Sequence, residues 1–122
     1  MGYHLTEAGE RLETAKILLE NRRSKDAISR AYYCMYHAAK AILLTKDLSP
    51  RTHKGLIQKF GEEFIRTEKI SKEYSSMLSK AEDLREHADY DVVREFTMEE
   101  AEAVVMDAEK FLERIREFLK EE

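Results

Sequence analysis

The residues best equipped for chemistry lie in one short stretch, from Arg85 to Asp91, with the sequence REHADYD. Most of its side chains ionise or form strong hydrogen bonds, which is more than the end of a helix needs for capping. An Arg85–Asp89 ion pair at the helical spacing i, i+4 would stabilise an exposed helix by only about 0.3–0.5 kcal/mol. The alternative is a functional site built from Arg85, His87, Asp89 and Tyr90. The residues alone leave both interpretations open.

A second candidate pair, Arg30 and His37, lies in the most apolar stretch of the chain. The two residues are two helical turns apart, so their side chains share nearly the same face of a helix. They form either a polar strip on an otherwise buried helix or a further part of a binding site.

Metal and nucleophile chemistry find little support in the sequence. No histidine has a glutamate three residues before it, as a di-iron helical bundle requires. Cys34 and His37 have the spacing of two zinc ligands, but no second pair completes a tetrahedral site. There is also no Gly-x-Ser-x-Gly motif and no glycine-rich phosphate loop. We therefore predict neither a metal nor a cofactor.

The element that must position these residues is a central helix. Apolar residues recur every three or four positions from Ala27 to Leu44, and few strongly polar residues interrupt them. This pattern predicts a helix from about Lys25 to Lys46, roughly 33 Å long. Ser24 is its predicted N-cap. A helix this apolar belongs at the centre of a bundle.

Apolar periodicity and capping residues predict four further helices. The first spans about Leu5–Asn21, and the fourth runs from Ser71 to near Asp89. The third begins at a Thr52 cap, and we expect it to be short or bent because Gly55 and Gly61 each cost up to about 1 kcal/mol relative to alanine. Residues 90–96 read as a loop, and the capping box at residues 97–100 starts the last helix, which has the strongest periodicity.

Composition agrees with one all-α domain over residues 1–122, an antiparallel up-and-down bundle of four to five helices. The chain has one proline and four glycines, too few turn-forming residues for a β-rich protein. Its single cysteine excludes an internal disulfide. There is no apolar run long enough for a membrane span. No charged-then-apolar leader opens the chain, so we expect a cytoplasmic protein that does not associate with membranes.

The net charge of −4 conceals an asymmetry. Residues 21–59 carry nine Lys or Arg and two Asp, a net charge of +7 that leaves −11 for the remainder. Either the acidic last helix lies alongside this basic segment, or the segment forms a phosphate-binding face whose binding would depend strongly on salt.

Three pieces of the chain resemble the HEPN domain, in its small prokaryotic form found beside minimal nucleotidyltransferases. They are RAYYCMYHAA in residues 30–39, PRTHKG in residues 50–55, and LR followed by ADY in residues 84–90. The resemblance covers nearly the whole chain. It implies a helical bundle, commonly a homodimer whose cleft holds the functional residues.

The resemblance also implies functions, because many HEPN proteins are metal-independent ribonucleases and often toxins that a nucleotidyltransferase partner neutralises. Their signature is an arginine followed after four to six residues by a histidine. Here Arg85 matches the arginine, but Tyr90 stands where the histidine is expected, and the nearby His87 is too close. Tyrosine is a poor base at neutral pH because its ordinary pKa is about 10. In some family members a tyrosine near the motif is nucleotidylated, and Tyr90 is the candidate by position.

Three functions follow as hypotheses. The leading one is a HEPN partner of a minimal nucleotidyltransferase that binds nucleotide or RNA, but not DNA, at a homodimer cleft, without strong catalytic activity. Its binding residues are Arg85, Asp89, Tyr90, Arg30 and His37. The second is a toxin ribonuclease with Arg85 and His87 as catalytic residues. The third is a helical protein-interaction module without a ligand.

Overall fold

The structure, a computed structural model, describes residues 1–121. Its helices are α1 (Gly2–Glu20), α2 (Ser24–Leu44), α3 (His53–Phe60), α4 (Lys72–Tyr90) and α5 (Met98–Glu121). A π-helical turn at Gly61–Ile65 continues α3, and no strand occurs in the described range. The predicted all-α bundle is confirmed.

Contacts between helices show the up-and-down order of the four long helices. At one end of the α1–α2 hairpin His4 meets His37, and a three-residue turn closes the other end, so α1 and α2 are antiparallel. Ser29 meets Asp89, so the beginning of α2 lies beside the end of α4 and these helices are also antiparallel. In contrast, α2 and α5 run in the same direction, because their contacts advance together along both helices.

The core surrounds α2, as the sequence predicts. This helix packs against α1, α3, α4 and α5. Every apolar position of its predicted stripe is fully buried: Ile28, Ala31, Tyr32, Met35, Ala39, Ile42 and Leu43. The apolar stripe of α5 covers the same core, with Phe111 and Ile115 fully buried. The backbone that carries the side chains of the first turns of α2 is therefore held in place by this packing.

Two of the predicted helix caps are confirmed. The Thr52 hydroxyl accepts a hydrogen bond from the Gly55 backbone N–H at 2.9 Å. In the capping box, the Thr97 hydroxyl accepts from the Glu100 N–H, and the Glu100 carboxylate accepts from the Thr97 N–H, each at 3.0 Å. The prediction for Ser24 is wrong: Ser24 lies inside the first turn of α2, and its hydroxyl donates to the Met98 sulfur at 3.1 Å.

The helix boundaries differ from the predicted ones by a few residues. The first helix begins at Gly2, because its backbone hydrogen bonds extend toward the N-terminus past Leu5, where the predicted helix started. Helix α4 extends through Tyr90. The prediction of a short or bent third helix is confirmed, because α3 has eight residues and then widens into the π-helical turn. There the Arg66 N–H donates to the carbonyl of Gly61, five residues earlier, at 2.8 Å.

Two further expectations concern charge and membranes. Helix α5 does pack against α2. However, in the described part of the chain the ion pairs of α5 carboxylates reach Lys16 and Arg94, and none reaches residues 21–59. The basic segment is therefore not neutralised by α5 through direct ion pairs.

Within residues 1–121, no helix combines the length and apolarity needed to cross a bilayer.

Candidate functional site

Arg85 is the centre of the candidate site, and it is buried rather than exposed. Its side chain is 5% exposed, on the face of α4 that packs against α2. Its guanidinium donates to Glu82, one turn earlier, and to Asp89, one turn later, where Nη1 lies 3.3 Å from Oδ2. The Arg85–Asp89 pair predicted from the sequence is thus one arm of a carboxylate–arginine–carboxylate arrangement.

Tyrosine rings surround the guanidinium. The Arg85 Cζ atom lies 5.4 Å from the ring centroid of Tyr32, 5.9 Å from that of Tyr33 and 6.0 Å from that of Tyr90. Distances up to about 6 Å allow a cation–π attraction. Tyr32 is fully buried, whereas Tyr90 is 78% exposed. The site therefore joins a buried cation to an aromatic ring that faces solvent.

His53, at the start of α3, is brought to the same place by the fold. Its Nδ1 lies 2.6 Å from the Tyr32 hydroxyl and 3.6 Å from Oε2 of Glu82. One carboxylate, Glu82, therefore connects the histidine of α3 with the arginine of α4. The His53 side chain is 34% exposed, and its Nδ1 is the nitrogen engaged by protein groups. We call Tyr32, His53, Glu82, Arg85 and Asp89 the arginine cluster.

Two members of the arginine cluster, Tyr32 and Arg85, have pKa values shifted by burial and by the neighbouring carboxylates. Burial, reinforced by the nearby Glu82 carboxylate, raises the pKa of Tyr32, so its hydroxyl stays neutral. Burial alone would lower the pKa of Arg85, but the hydrogen bonds and charges of Glu82 and Asp89 outweigh it and raise that pKa. The guanidinium is therefore permanently charged. Two buried polar atoms, Glu82 Oε2 and Arg85 Nε, have no hydrogen-bond partner among the described residues.

Tyr32, His53 and Glu82 were not among the site residues predicted from the sequence. A signal existed for Glu82 and Arg85, because both fall at helical spacing within the apolar stripe of α4, between Leu78 and Ala88. A charged pair inside a buried stripe indicates a buried ion pair. His53 carries no such signal, because only the packing of α3 beside α2 and α4 brings it to Glu82.

The structure does not bring His87 to Arg85. Two residues along a helix correspond to a rotation of about 200°, so the side chains point in nearly opposite directions. The His87 side chain is 54% exposed, and its nearest charged group is Asp91, at 3.9 Å. The hypothesis that Arg85 and His87 act together thus has no geometric support, and His53 is the histidine beside the arginine.

Arg30 and His37 are also separated. Arg30 is exposed and lies near Asp89 and Tyr33 on the wall of a cavity of about 570 Å³. His37 lies two turns further along α2, beside the beginning of α1, where its Nδ1 is 3.0 Å from that of His4. Burial, together with the neighbouring His4, lowers the pKa of His37 to about 4. His37 is therefore neutral at pH 7 and offers no charge to a phosphate.

Cys34 and His37 do not form a metal site. Cys34 is fully buried against α5, and its thiol donates to the carbonyl of Ala108 at 3.8 Å. Burial raises the pKa of this thiol to about 12, so the free thiol is protonated at neutral pH. In residues 1–121 there is no group of three or more side chains arranged to hold a metal ion.

Comparison with known proteins agrees with this architecture. The HEPN domain family model matches residues 1–118. A Methanocaldococcus jannaschii protein with the name "Putative toxin MJ0605" is 46% identical over 114 residues, covering 93% of this chain and 84% of that protein. "Putative toxin MJ0142" of the same organism is 34% identical over 115 residues, covering 94% and 78%. A Thermotoga maritima protein named "UPF0332 protein" is 34% identical over 119 residues, covering 98% and 90%.

Proposed function

The chain belongs to the HEPN domain family, and from that premise we propose that it is a toxin-type HEPN protein that binds RNA or a nucleotide at the arginine cluster. It does so with little or no cleavage, and its partner is a minimal nucleotidyltransferase. The names of two relatives support the toxin role. The partner and the homodimer follow from the family resemblance.

One observation carries the binding proposal: a fixed, permanently charged guanidinium lies beside an exposed aromatic ring. Single-stranded nucleic acids are bound by this combination, in which cations hold the backbone and aromatic rings stack on bases. Arg85 supplies the cation, and Tyr90, 78% exposed, supplies the ring. The Nε of Arg85 is buried and has no hydrogen-bond partner among the described residues, so a ligand would reach the guanidinium from the side of the partly exposed Asp89.

Asp89 controls access to that charge. Its side chain is 30% exposed, so Oδ2 can turn away from Arg85 at little cost in packing while Oδ1 keeps its hydrogen bond from Ser29. Glu82, in contrast, is 9% exposed and stays in place as the anchor of the guanidinium. A phosphate that replaces Asp89 would keep Arg85 between two anions, and an arginine holds a phosphate well because its geometry allows two parallel hydrogen bonds.

The experiment compares Tyr90→Ala with Val93→Ala, a matched control. Both side chains are strongly exposed and lie close together in sequence, so neither substitution threatens folding. Fluorescence anisotropy with a labelled single-stranded RNA should show at least about fivefold weaker binding for Tyr90→Ala, because one stacked base is worth about 1–3 kcal/mol. Val93→Ala should bind like the wild type. Equal binding by both variants would refute the role of Tyr90.

The same tyrosine is the candidate for nucleotidylation by the partner. Its exposed hydroxyl would attack the α-phosphorus of a nucleoside triphosphate held by the nucleotidyltransferase, form a phosphodiester, and release pyrophosphate and a proton. Co-expression with the nucleotidyltransferase, followed by intact-mass measurement, should show one added nucleotidyl group. Tyr90→Phe should abolish the addition. An unchanged mass gain in Tyr90→Phe would assign the modification to another residue.

A second function, metal-independent RNA cleavage, is favoured by one specific observation. His53 is joined to Arg85 through Glu82, and its Nδ1 is engaged by Tyr32, which leaves Nε2 to face a substrate. A histidine with one ring nitrogen held by the protein and the other free is placed to transfer a proton, which typically accelerates a reaction about 10²–10⁴-fold. If cleavage occurs, His53→Gln should abolish it, while His87→Gln should leave it unchanged.

A further inference from the structure

A cavity of about 570 Å³ opens next to the arginine cluster. It is lined by the first turns of α2, by the end of α1, and by Ala88 and Asp89 of α4. Pockets for small ligands commonly measure about 300–1,000 Å³, so this one has room for a single nucleotide. Its lining is more polar than that of a typical apolar pocket, with charged groups of both signs.

Two cations lie on the α2 side of this cavity. Arg30 is exposed and forms no ion pair or hydrogen bond within the described part of the chain. Lys25 donates to the backbone carbonyl of Asp91 at 3.2 Å, and this neutral acceptor leaves the ammonium charge uncompensated. Asp26, which also lines the cavity, forms no ion pair with either cation within the described residues, so both keep N–H donors for a ligand. A phosphate group is the ligand that two such cations favour.

Two other residues that line the cavity, Tyr33 and Asp89, have different chemistry. Tyr33 is half-buried there, and burial raises the pKa of its hydroxyl, so the ring remains neutral. Asp89 lies beside it and accepts a hydrogen bond from the Ser29 hydroxyl at 3.0 Å through Oδ1. A neutral aromatic ring suits a nucleobase, and the carboxylate retains lone pairs for sugar hydroxyl or base amino donors.

We propose that this cavity is a subsite for one nucleoside monophosphate unit. Arg30 and Lys25 hold the phosphate, and the base lies against Tyr33. The inference rests on the proposed function, which it deepens by giving the ligand a defined location. Asp89 connects the subsite with the arginine cluster, because Oδ1 accepts from Ser29 in the cavity while Oδ2 accepts from Arg85.

The test uses 5′-AMP as the probe and NMR titration as the readout. Chemical-shift changes are expected at the backbone amides of Ser29, Tyr33 and Ala88, which line the cavity. Arg30→Gln should weaken AMP binding about tenfold, because a hydrogen bond to a charged group contributes about 1.5–3 kcal/mol and 1.4 kcal/mol corresponds to a factor of ten. Arg66→Gln, which removes an exposed arginine outside the cavity, should bind AMP like the wild type.

The base contact has its own test. Tyr33→Leu should weaken AMP binding several-fold and leave the binding of inorganic phosphate unchanged, since only the base loses its ring. Circular dichroism and thermal unfolding establish that the variant is folded. Inorganic phosphate binding as tightly as AMP to the wild type would overturn the assignment of the base to Tyr33.

The outcomes separate this subsite from the proposed function. If RNA binds and depends on Tyr90, but AMP causes no shifts in the cavity or Arg30→Gln equals Arg66→Gln, the subsite is refuted and the proposed function stands. If neither RNA nor AMP binds at low salt, both are refuted. AMP binding that is lost in Arg30→Gln and kept in Arg66→Gln supports the subsite.

Discussion

Replacing Arg85 with alanine should destabilise the protein far more than the loss of a surface ion pair. The substitution leaves Glu82, whose side chain is 9% exposed, without its charge partner. Removing one partner of a buried ion pair costs about 3–5 kcal/mol, compared with about 0.2–1 kcal/mol for an exposed pair. A domain of this size is stable by about 5–15 kcal/mol, so Arg85→Ala removes a large fraction of the total.

Urea unfolding followed by circular dichroism measures this loss. With a slope of about 1.5 kcal/mol per molar urea, the midpoint should fall by about 2–3 M. Arg66→Ala, which removes an exposed arginine, should change stability by no more than about 0.5 kcal/mol. The double variant Glu82→Leu/Arg85→Met should recover most of the loss, because apolar side chains can replace a buried pair. A loss below about 1 kcal/mol in Arg85→Ala would refute the claim that the pair is buried and tightly coupled.

Three further predictions concern dynamics, pH and assembly. In hydrogen exchange, α3 and the following π-helical turn should exchange faster than α2, since α3 is short and α2 is central to the core; equal protection of both would contradict this. The pKa of His37, about 4 when folded, lies below its ordinary 6.5, so the unfolded chain takes up the proton first and stability falls as pH drops from 6.5 to 4. Allowing for solvent screening of a partly exposed group, His37 lowers the free energy of unfolding by about 1–2 kcal/mol over this pH range. Urea unfolding at both pH values should show this contribution in the wild type and not in His37→Gln. Light scattering should give a homodimer at micromolar concentration, with α4 at or near the interface, and a monomer would count against that assembly.

Much of the fold follows from the sequence because the buried face of a helix appears as apolar residues three or four positions apart. The stripe of α5, the capping box at residues 97–100 and the Thr52 cap depend on residues within a few positions of one another. Helix ends are less well determined, since backbone bonds continue past the last apolar residue. Ser24 shows the limit: a hydroxyl that suits an N-cap instead donates to the Met98 sulfur, a tertiary contact that no local pattern reveals.

The candidate site was predicted only in part for the same reason. Arg85, Asp89 and Tyr90 lie within six residues, and the structure brings them together on the last turns of α4. His53 is far away in sequence and reaches Glu82 only through the packing of α3. His87 is only two residues from Arg85 in the sequence, but the helical rotation between them points their side chains in different directions.

The central claim is that binding of RNA and its cleavage are separable in this protein. The most direct test incubates a 5′-labelled single-stranded RNA with the purified protein in chelator, then resolves bound and free RNA on native gels and intact and cut RNA on denaturing gels. The account predicts RNA that is bound at low salt, released as salt rises, and intact throughout. Robust cleavage that is abolished by His53→Gln would contradict it and establish the ribonuclease, and RNA that remains unbound even at low salt would leave only the protein-interaction module.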